Sequence, residues 1–500
     1  MTRPQAYANL LERSAQLADV SNATQLLGWD QETMMPRKAA PSRAAQLATL
    51  AGVAHGLLTA PEVGDWLAVC EEDPDFDGTQ RAQVRELRRD YDKATRLPRE
   101  LVEEMARTES EALAVWRDAR PARDFAAFAP YLARLLDLAR RKAEAYGYPN
   151  EPYDALLDEY ERGMTTEKVR RLFDDLRARL APLVSAVLER RGTVSSACVR
   201  QELPEAAQAA FGLDVIRELG FDFEAGRVDV SAHPFCASAG HGDTRLTRRY
   251  LSDDLRPALY GIIHEAGHGL YEQGLPVEWD RTPLGAAASL GVHESQSRLW
   301  ENIVGRSLPF CERVLPRLRT HFPGRFDATD AETLYRAVNE VELSLIRVEA
   351  DELTYNLHVM LRFDLEVALL GNELAVKDVP GAWNEATERL LSITPPHDGD
   401  GCLQDIHWSI GSFGYFPTYT LGNLYAAQLF DAARRALPDM DGLIRRGEFA
   451  PLLEWLRTNV HRHGRSLAPD TLIEQATGRA PSAEPFFAYL QDKFGGIYDV

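Results

Sequence analysis

Cysteine is scarce in this sequence: there are five cysteines among 500 residues, and no two of them form a CxxC pair. Such a sparse, odd-numbered set does not resemble a disulfide framework or a zinc ribbon, so we expect a reducing compartment, the cytoplasm. The sequence also lacks a run of about 18 apolar residues and an N-terminal apolar segment typical of secretion signals. We therefore expect neither a membrane-spanning helix nor a signal peptide.

Positive charge is also in short supply. The chain carries 56 Lys and Arg residues against 76 Asp and Glu residues, which gives a formal net charge of −20. This balance argues against nucleic acid and membrane surfaces as partners. A hydrophobic content of 45% is sufficient for a large core, and no internal repeat or low-complexity segment interrupts the chain.

Helical periodicity dominates what remains. Apolar residues recur at intervals of three and four over residues 7–27, 42–58, 80–95, 128–146, 169–187, 330–362 and 421–437. Residues 226–250 differ, because β-branched residues there surround a glycine-rich centre. The pattern predicts a mainly α fold, a large helical peptidase fold with a groove and one short antiparallel β-sheet beside the metal-binding helix described next. We expect a single domain over residues 1–500. The sequence does not decide whether this domain is divided into two lobes around the groove.

His264, Glu265 and His268 form an HExxH motif inside a segment that is predicted to be helical. Side chains four residues apart share one helix face, so both imidazoles can bind one ion. Glu265 then lies close enough to reach a water on that ion, which is the arrangement of zinc peptidases.

Ser252, Asp253 and Asp254 offer N-cap oxygens for this helix. Pro257 is tolerated only in a first helical turn and so places the start near Asp254, and Gly274 is the expected stop.

A third ligand is needed to complete such a site. Glu294 lies 30 residues after His264 in a second predicted helix, a separation that suits a helix–loop–helix hairpin. Two histidines and a carboxylate leave the fourth position open for water, as in catalytic zinc sites. His293 and Glu301 are rival ligands. Because neighbouring residues on a helix point about 100° apart, only one of His293 and Glu294 can bind the ion, and we favour Glu294.

At this point the sequence resembles a known family, the carboxypeptidase Taq family of metallocarboxypeptidases. The resemblance rests on segments spread over nearly the whole chain: GWDQETMMP at 28–36, HPF at 233–235, DTRLT at 243–247, HEAGH at 264–268, HESQSRLWEN at 293–302, IRVEAD at 346–351 and GCLQDIHW at 401–408. It implies a Zn²⁺ enzyme, with Co²⁺ as a substitute, that releases C-terminal residues from peptides with broad specificity. It also implies a homodimer.

Two alternatives to this activity are considered. An oligoendopeptidase or a dipeptidase on the same scaffold would use the same zinc chemistry, and only its products would differ. A non-catalytic peptide-binding protein would be expected to have lost a ligand or Glu265, and neither is lost in this chain.

The expected chemistry assigns roles to further side chains. Glu265 would take the proton of the attacking water and pass it to the leaving amine. The carbonyl oxygen gains negative charge during attack and requires donors besides the metal. The resemblance favours His407 for this role, and Tyr415 and Tyr419 are the other candidates.

An exopeptidase must also recognise the free C-terminal carboxylate. A guanidinium suits this purpose, because it stays charged and binds a carboxylate with two parallel hydrogen bonds. Arg347 and Arg245 lie in motif segments and are the candidates. Each has a structural alternative, since Arg347 has acidic neighbours in a predicted helix and Arg245 follows Asp243 closely.

Overall fold

The computed structural model describes residues 2–231 and 234–500. His233, the first residue of the HPF segment, lies outside the described residues. No helix in the described ranges combines the length and the hydrophobicity that a membrane span requires.

The described residues form twenty α-helices, which confirms the mainly α fold predicted from periodicity. In chain order they are α1 (Arg3–Thr33), α2 (Ala40–Leu58), α3 (Pro61–Glu71), α4 (Gly78–Arg96), α5 (Arg99–Ala122), α6 (Phe125–Tyr146), α7 (Pro152–Tyr160), α8 (Thr166–Glu189), α9 (Glu205–Leu219), α10 (Leu255–Glu272), α11 (Leu290–Arg298), α12 (Leu308–His321), α13 (Ala331–Val338), α14 (Tyr355–Leu370), α15 (Val379–Leu391), α16 (Pro417–Ala436), α17 (Met440–Arg446), α18 (Ala450–Asn459), α19 (Pro469–Thr477) and α20 (Glu484–Tyr498).

Three short strands form one sheet: β1 (Gly226–Val230), β2 (Cys236–Ser238) and β3 (Thr244–Arg248). Their order is β1-β3-β2, with β3 parallel to β1 and antiparallel to β2. The sheet is therefore mixed, and the prediction of an antiparallel sheet is wrong for β1. The alternation of residues shows where strands lie. It does not show whether two strands pair parallel or antiparallel, because that depends on β3 lying between β1 and β2 in the sheet.

The predicted continuous helix over 330–362 is also wrong in its middle. Helix α13 ends at Val338 and α14 begins at Tyr355, and between them Arg347–Glu349 forms only a 3₁₀ turn. The physical reason lies in the backbone of Arg347, whose N–H donates to Oε1 of Gln404 at 2.9 Å instead of to a helical carbonyl. A side chain distant in sequence thus replaces the helical hydrogen bond.

The chain folds into two compact units, each assembled from three segments. Unit 1 contains Met1–Thr95, Ser195–Val338 and Tyr425–Ser482, and unit 2 contains Arg96–Val194, Asn339–Leu424 and Ala483–Val500. The HExxH helix α10 and the sheet belong to unit 1. Arg347 and the segment carrying His407, Tyr415 and Tyr419 belong to unit 2. The single domain and its groove remain predictions.

Candidate active site

Helix α10 forms where the sequence predicts it. The Asp254 side chain caps its start by accepting from the Arg256 N–H at 2.9 Å, and the helix runs from Leu255 to Glu272. Its apolar residues are buried, among them Leu259, Ile262, Ile263, Ala266 and Leu270. Burial of these residues fixes the rotation of the helix, and that rotation sets the direction of the face that His264 and His268 share.

Gly267, inside the HExxH motif, determines how closely α11 approaches. A Cβ at this position would lie 2.6 Å from the backbone oxygen of Gln296 and 2.6 Å from the Cα of Ser297. Only glycine permits this contact, since 2.6 Å is well inside the van der Waals separation. The close approach brings Glu294 to the histidine face of α10.

His264, His268 and Glu294 come together in unit 1, where their candidate ligand atoms all lie within 4.8 Å of one another. Oε2 of Glu294 is 3.4 Å from Nε2 of His268 and 3.7 Å from Nε2 of His264. Ligand atoms about 2.1 Å from one tetrahedral zinc ion lie roughly 3.4 Å apart. These three residues, with Glu265 and Glu301, are called the histidine–glutamate cluster below.

The Nδ1 atom of each imidazole, on the side of the ring away from the converging ligand atoms, has a hydrogen-bond partner. His264 donates from Nδ1 to Glu301 at 2.8 Å, and Nδ1 of His268 lies 3.1 Å from the carbonyl oxygen of His293. Such partners fix the tautomer and leave Nε2 as a lone-pair donor for a metal. Glu301 reaches His264 from a π-helical turn over Leu299–Val304, a local geometry that is frequent at functional sites.

The rival ligands therefore have other contacts. Glu301 supports His264 from behind, and His293 lies with its Nε2 at 2.9 Å from Glu272 while its ring stacks on His268 at 4.3 Å. Both residues pack against the site, although neither belongs to the group of three whose ligand atoms converge.

Arg298 is a residue of this site to which the sequence analysis assigned no role. Its Nε donates to Oε1 of Glu294 at 2.6 Å and its Nη1 donates to Glu301 at 3.2 Å, while Ser297 donates to Oε2 of Glu294 at 3.0 Å. The signal was present, because Arg298 follows Glu294 by four residues on one helix. Arg298 thus orients two carboxylates at once.

The charges in this cluster shift the pKa values of its members in opposite directions. Burial alone would lower the pKa of His264, but Glu294, Glu301 and Glu265 outweigh it and raise the pKa to about 9. Burial and the neighbouring His293 lower the pKa of His268 to about 3 despite Glu294.

Glu265 is 5% exposed, and burial raises its pKa to about 7, although His264 opposes the rise. A desolvated carboxylate of this kind, with a pKa near neutrality, has the properties of a general base.

The donor set fits a divalent cation. The Nε2 atoms of two imidazoles and one carboxylate oxygen converge, and the remaining polar atoms of the same side chains are already hydrogen-bonded. The raised pKa of His264 shows that the local field favours positive charge at this point. Nitrogen and carboxylate ligands in this number are typical of catalytic zinc sites.

In unit 2, Arg347 and Arg362 share Asp405. Arg347 donates to Oδ1 from Nε at 3.1 Å and from Nη2 at 2.9 Å, and Arg362 donates to Oδ2 from Nε at 2.6 Å. Gln404 accepts from both, through the Arg347 backbone and the Arg362 guanidinium. Burial alone would raise the pKa of Asp405, but the two arginines hold it well below its usual range. We call these residues, with Tyr355, the arginine cluster.

Arg347 retains hydrogen-bonding capacity within this cluster. Its Nη1 donates to the Tyr355 hydroxyl at 2.8 Å, which with the two bonds to Asp405 accounts for three of its N–H groups. A guanidinium has five N–H donors, so two remain beyond these contacts. The Tyr419 ring lies 4.6 Å from the guanidinium carbon. Arg347 is 4% exposed and is positioned rigidly.

His407, Tyr415 and Tyr419 are grouped beside the arginine cluster. Nε2 of His407 pairs with the Tyr419 hydroxyl at 3.1 Å, and the His407 and Tyr415 rings are 5.3 Å apart. Burial, followed by the charge of Arg347, lowers the pKa of His407 to about 3, so its ring is neutral. Its Nδ1 is buried and has no hydrogen-bond partner within the described ranges.

Arg245, the second candidate for carboxylate binding, lies in strand β3 of unit 1. It binds Asp243 through Nε at 2.8 Å and Nη2 at 2.9 Å, and its guanidinium lies 4.3 Å from the centre of the Trp29 ring. The GWDQE and DxRxT segments therefore meet in one contact. Arg245 thus has an acidic partner, Asp243, and an aromatic partner, Trp29. These contacts are those of the structural role that the sequence analysis gave as the alternative to carboxylate binding.

Comparison with known proteins gives concordant matches. A model of the carboxypeptidase Taq (M32) metallopeptidase family matches residues 9–494. Thermostable carboxypeptidase 1 of Thermus thermophilus is 45% identical over 512 residues, covering 100% of both chains. Carboxypeptidase 1 of Bacillus subtilis is 36% identical, covering 99% of both chains. The crystal structure of a carboxypeptidase from Deinococcus radiodurans matches with a TM-score of 0.96 at 43% identity, covering 99% of this chain and 100% of that chain.

Proposed function

The chain belongs to the carboxypeptidase Taq (M32) metallopeptidase family and is a metallocarboxypeptidase, and we propose that it removes C-terminal residues from peptides with Zn²⁺ held by His264, His268 and Glu294. The family match and the full-length relatives confirm the family resemblance inferred from the motifs. The observation that carries the proposal is the convergence of these three donors, with both histidine Nδ1 atoms already engaged elsewhere.

The chain's own residues account for the proton movements. A bound zinc ion would polarise the scissile carbonyl and lower the pKa of a water to about 7. Glu265 accepts the proton of the attacking water and delivers it to the amine that leaves. Burial raises the pKa of its carboxyl, which favours uptake of that proton.

We propose that the group of His407, Tyr415 and Tyr419 supplies the donors to the carbonyl oxygen as it gains negative charge. The bond between His407 Nε2 and the Tyr419 hydroxyl uses one proton, so either His407 through Nδ1 or Tyr419 donates, together with Tyr415. Support comes from their grouping and from the unpartnered Nδ1 of His407. A neutral imidazole and two phenols provide donors without introducing another charge, and preorganised donors stabilise developing charge most effectively.

Carboxypeptidase action further requires a fixed cation for the substrate's terminal carboxylate. We propose Arg347 for this role, since two guanidiniums share one carboxylate in the arginine cluster and Arg347 has two N–H groups beyond its Asp405 and Tyr355 contacts. Arg245 is the second candidate, and its bidentate contact with Asp243 satisfies more of its charge.

The decisive experiment is product analysis on a defined peptide. Carboxypeptidase action releases single residues in order from the C-terminus, whereas a dipeptidase would release dipeptides and an oligoendopeptidase internal fragments. Chelation should abolish the reaction, and Zn²⁺ or Co²⁺ should restore it. A series of peptides that differ only in the last residue tests the broad specificity implied by the family.

The ligand assignment is tested with single variants. His264→Ala, His268→Ala and Glu294→Ala should each lose bound zinc and activity. If Glu294→Ala kept both while Glu301→Ala lost them, Glu301 would be the third ligand instead.

We also propose a cytoplasmic homodimer. The five free cysteines fit a reducing compartment. Helix α2 buries none of its described side chains from 41 to 58, although most of them are apolar or small, so it offers a surface for a second copy. The net charge of −20 remains the argument against nucleic acid and membrane partners. Light scattering of the purified protein measures the oligomeric state.

A further inference from the structure

Glu366 is a carboxylate of unit 2 that the proposed reaction does not use. It lies in α14 with 0% exposure and has no ion pair among the described residues. Three donors surround it: the Trp408 indole N–H donates to Oε1 at 2.9 Å, and the Gly414 N–H and the Tyr153 hydroxyl donate to Oε2 at 3.0 and 2.9 Å. A buried carboxylate without a bound cation is costly, so these three contacts require an explanation.

We propose that Glu366 is a positioning residue, which fixes the segment 407–419 and thereby the groups that stabilise the developing oxyanion. The inference rests on the proposed function of His407, Tyr415 and Tyr419. Two of the three donors belong to this segment, since Trp408 follows His407 and Gly414 precedes Tyr415. One carboxylate thus holds the backbone beside two of the three proposed donors.

The backbone at Gly414 packs closely against α7. Gly414 has a φ of 92°, and a Cβ there would lie 2.8 Å from the backbone carbon of Leu156 in α7. The segment therefore lies directly against α7, and the Gly414 N–H donates to Glu366 in α14. Without Glu366 this N–H would lose its acceptor, and an unsatisfied buried donor costs about 1–3 kcal/mol. Displacement of Gly414 relieves that cost and carries Tyr415 with it.

The ionised form of Glu366 satisfies all three donors, whereas glutamine does not. In the neutral form the carboxyl oxygens still accept from Trp408 and Gly414, and the carboxyl proton is donated to the Tyr153 hydroxyl, which then accepts instead of donating. The amide nitrogen of glutamine has no free lone pair, so one of the two N–H groups would face another donor in either orientation. Burial raises the pKa of Glu366 to about 7, against the three hydrogen bonds, so both forms occur near neutrality.

The test compares Glu366→Gln with Tyr153→Phe in the zinc-loaded, full-length enzyme. Glu366→Gln should lower kcat by about 10²-fold, the order of effect expected for misplaced catalytic groups, with KM unchanged. Hydrogen exchange should become faster in the segment 407–419. Tyr153→Phe removes a donor to the same carboxylate but none that belongs to the segment, so kcat, KM and exchange in 407–419 should stay near those of the wild type. If Glu366→Gln lowers only thermal stability, or if Tyr153→Phe lowers kcat equally, the positioning role is wrong.

Tyr415→Phe, alone and combined with Glu366→Gln, separates this inference from the proposed function. If Glu366 acts through Tyr415, the double variant should be about as slow as the slower single variant. A normal kcat for Tyr415→Phe overturns the oxyanion role of Tyr415 and with it this route of action. A reduced kcat for Tyr415→Phe with a normal kcat for Glu366→Gln overturns the positioning role alone. Should Glu366→Gln not fold, Trp408→Phe removes one segment contact and should give a smaller loss of kcat at unchanged KM; a normal kcat would contradict the proposal.

Discussion

The histidine–glutamate cluster of unit 1 and the arginine cluster of unit 2 are buried sites of opposite electrostatic character. In the first, three carboxylates are accompanied by Arg298, and lone pairs of His264, His268 and Glu294 remain available. In the second, two arginines share Asp405, and N–H donors remain available. One site is therefore suited to a cation and the other to an anion, as the proposed reaction requires.

The two clusters also differ in how the chain assembles them. The candidate ligand atoms of the histidine–glutamate cluster come from two consecutive helices, within residues 264–294. The arginine cluster combines residues 347–362 with residues 404–405, and its central arginine lies outside any α-helix. Local spacing is readable in a sequence, whereas a contact between distant segments is not.

The largest expected effect comes from a substitution in the histidine–glutamate cluster that leaves the three proposed zinc ligands in place. Glu265→Gln should retain bound zinc and lose about 10²–10⁴-fold in kcat, because it removes only the proton acceptor. Metal analysis and steady-state kinetics on the same preparation measure both quantities. Glu278→Gln, an exposed glutamate just beyond α10, is the matched control and should be normal. Turnover close to wild type in zinc-loaded Glu265→Gln would disprove the base assignment.

The corresponding change in the second cluster is Arg347→Ala. Truncating one partner of a buried charge pair costs roughly 2–5 kcal/mol, which corresponds to about 10²–10³-fold in kcat/KM for peptides with a free C-terminus. The same peptides with amidated C-termini should be cleaved poorly by the wild type and scarcely worse by the variant. Kinetics on acid and amide forms with both proteins measure this. A preserved acid preference in Arg347→Ala would exclude Arg347 as the anchor, and Arg245→Ala would be the next variant.

A third prediction concerns Glu366, a buried carboxylate that, unlike Glu294 and Asp405, has no ion pair among the described residues. The pKa of Glu366 is raised by burial from 4.5 to about 7, so its folded-state pKa lies above its unfolded value. Its contribution to stability is therefore full below pH 4.5 and is lost as pH rises through about 7. The loss amounts to at most roughly 3 kcal/mol at 1.36 kcal/mol per pKa unit. Unfolding of the wild type should thus depend more steeply on pH between 5 and 8 than unfolding of Glu366→Gln; equal slopes would contradict the shift.

The smallest expected effect concerns the support behind the first cluster. Glu301→Gln weakens the acceptor for Nδ1 of His264 and should lower zinc affinity by about 10–100-fold, the range found for residues behind metal ligands. Competition with a chelator of known affinity measures this without any assay of activity. Complete loss of zinc, as expected for Glu294→Ala, would instead identify Glu301 as a ligand, and unchanged affinity would exclude its supporting role.

The quality of the sequence-based predictions follows this contrast between local and distant contacts. The limits of α10 were predictable, because Asp254, Pro257 and Gly274 are local signals, and the helix indeed runs from Leu255 to Glu272. The break between α13 and α14 was not predictable, because the Arg347 backbone bonds to Gln404, 57 residues away. The parallel pairing of β1 with β3 was missed for the same reason.

The sequence by itself determined the helical class, the HExxH helix and the family resemblance, since each depends on residue types at short, fixed intervals. Only the tertiary structure decided which carboxylate meets the two imidazoles and which supports them from behind. Gly267 and the π-helical turn set those positions through close packing, which spacing does not encode. The tertiary structure likewise joined Arg347, Arg362 and Asp405, because this contact depends on folding that brings together segments more than 40 residues apart in the chain.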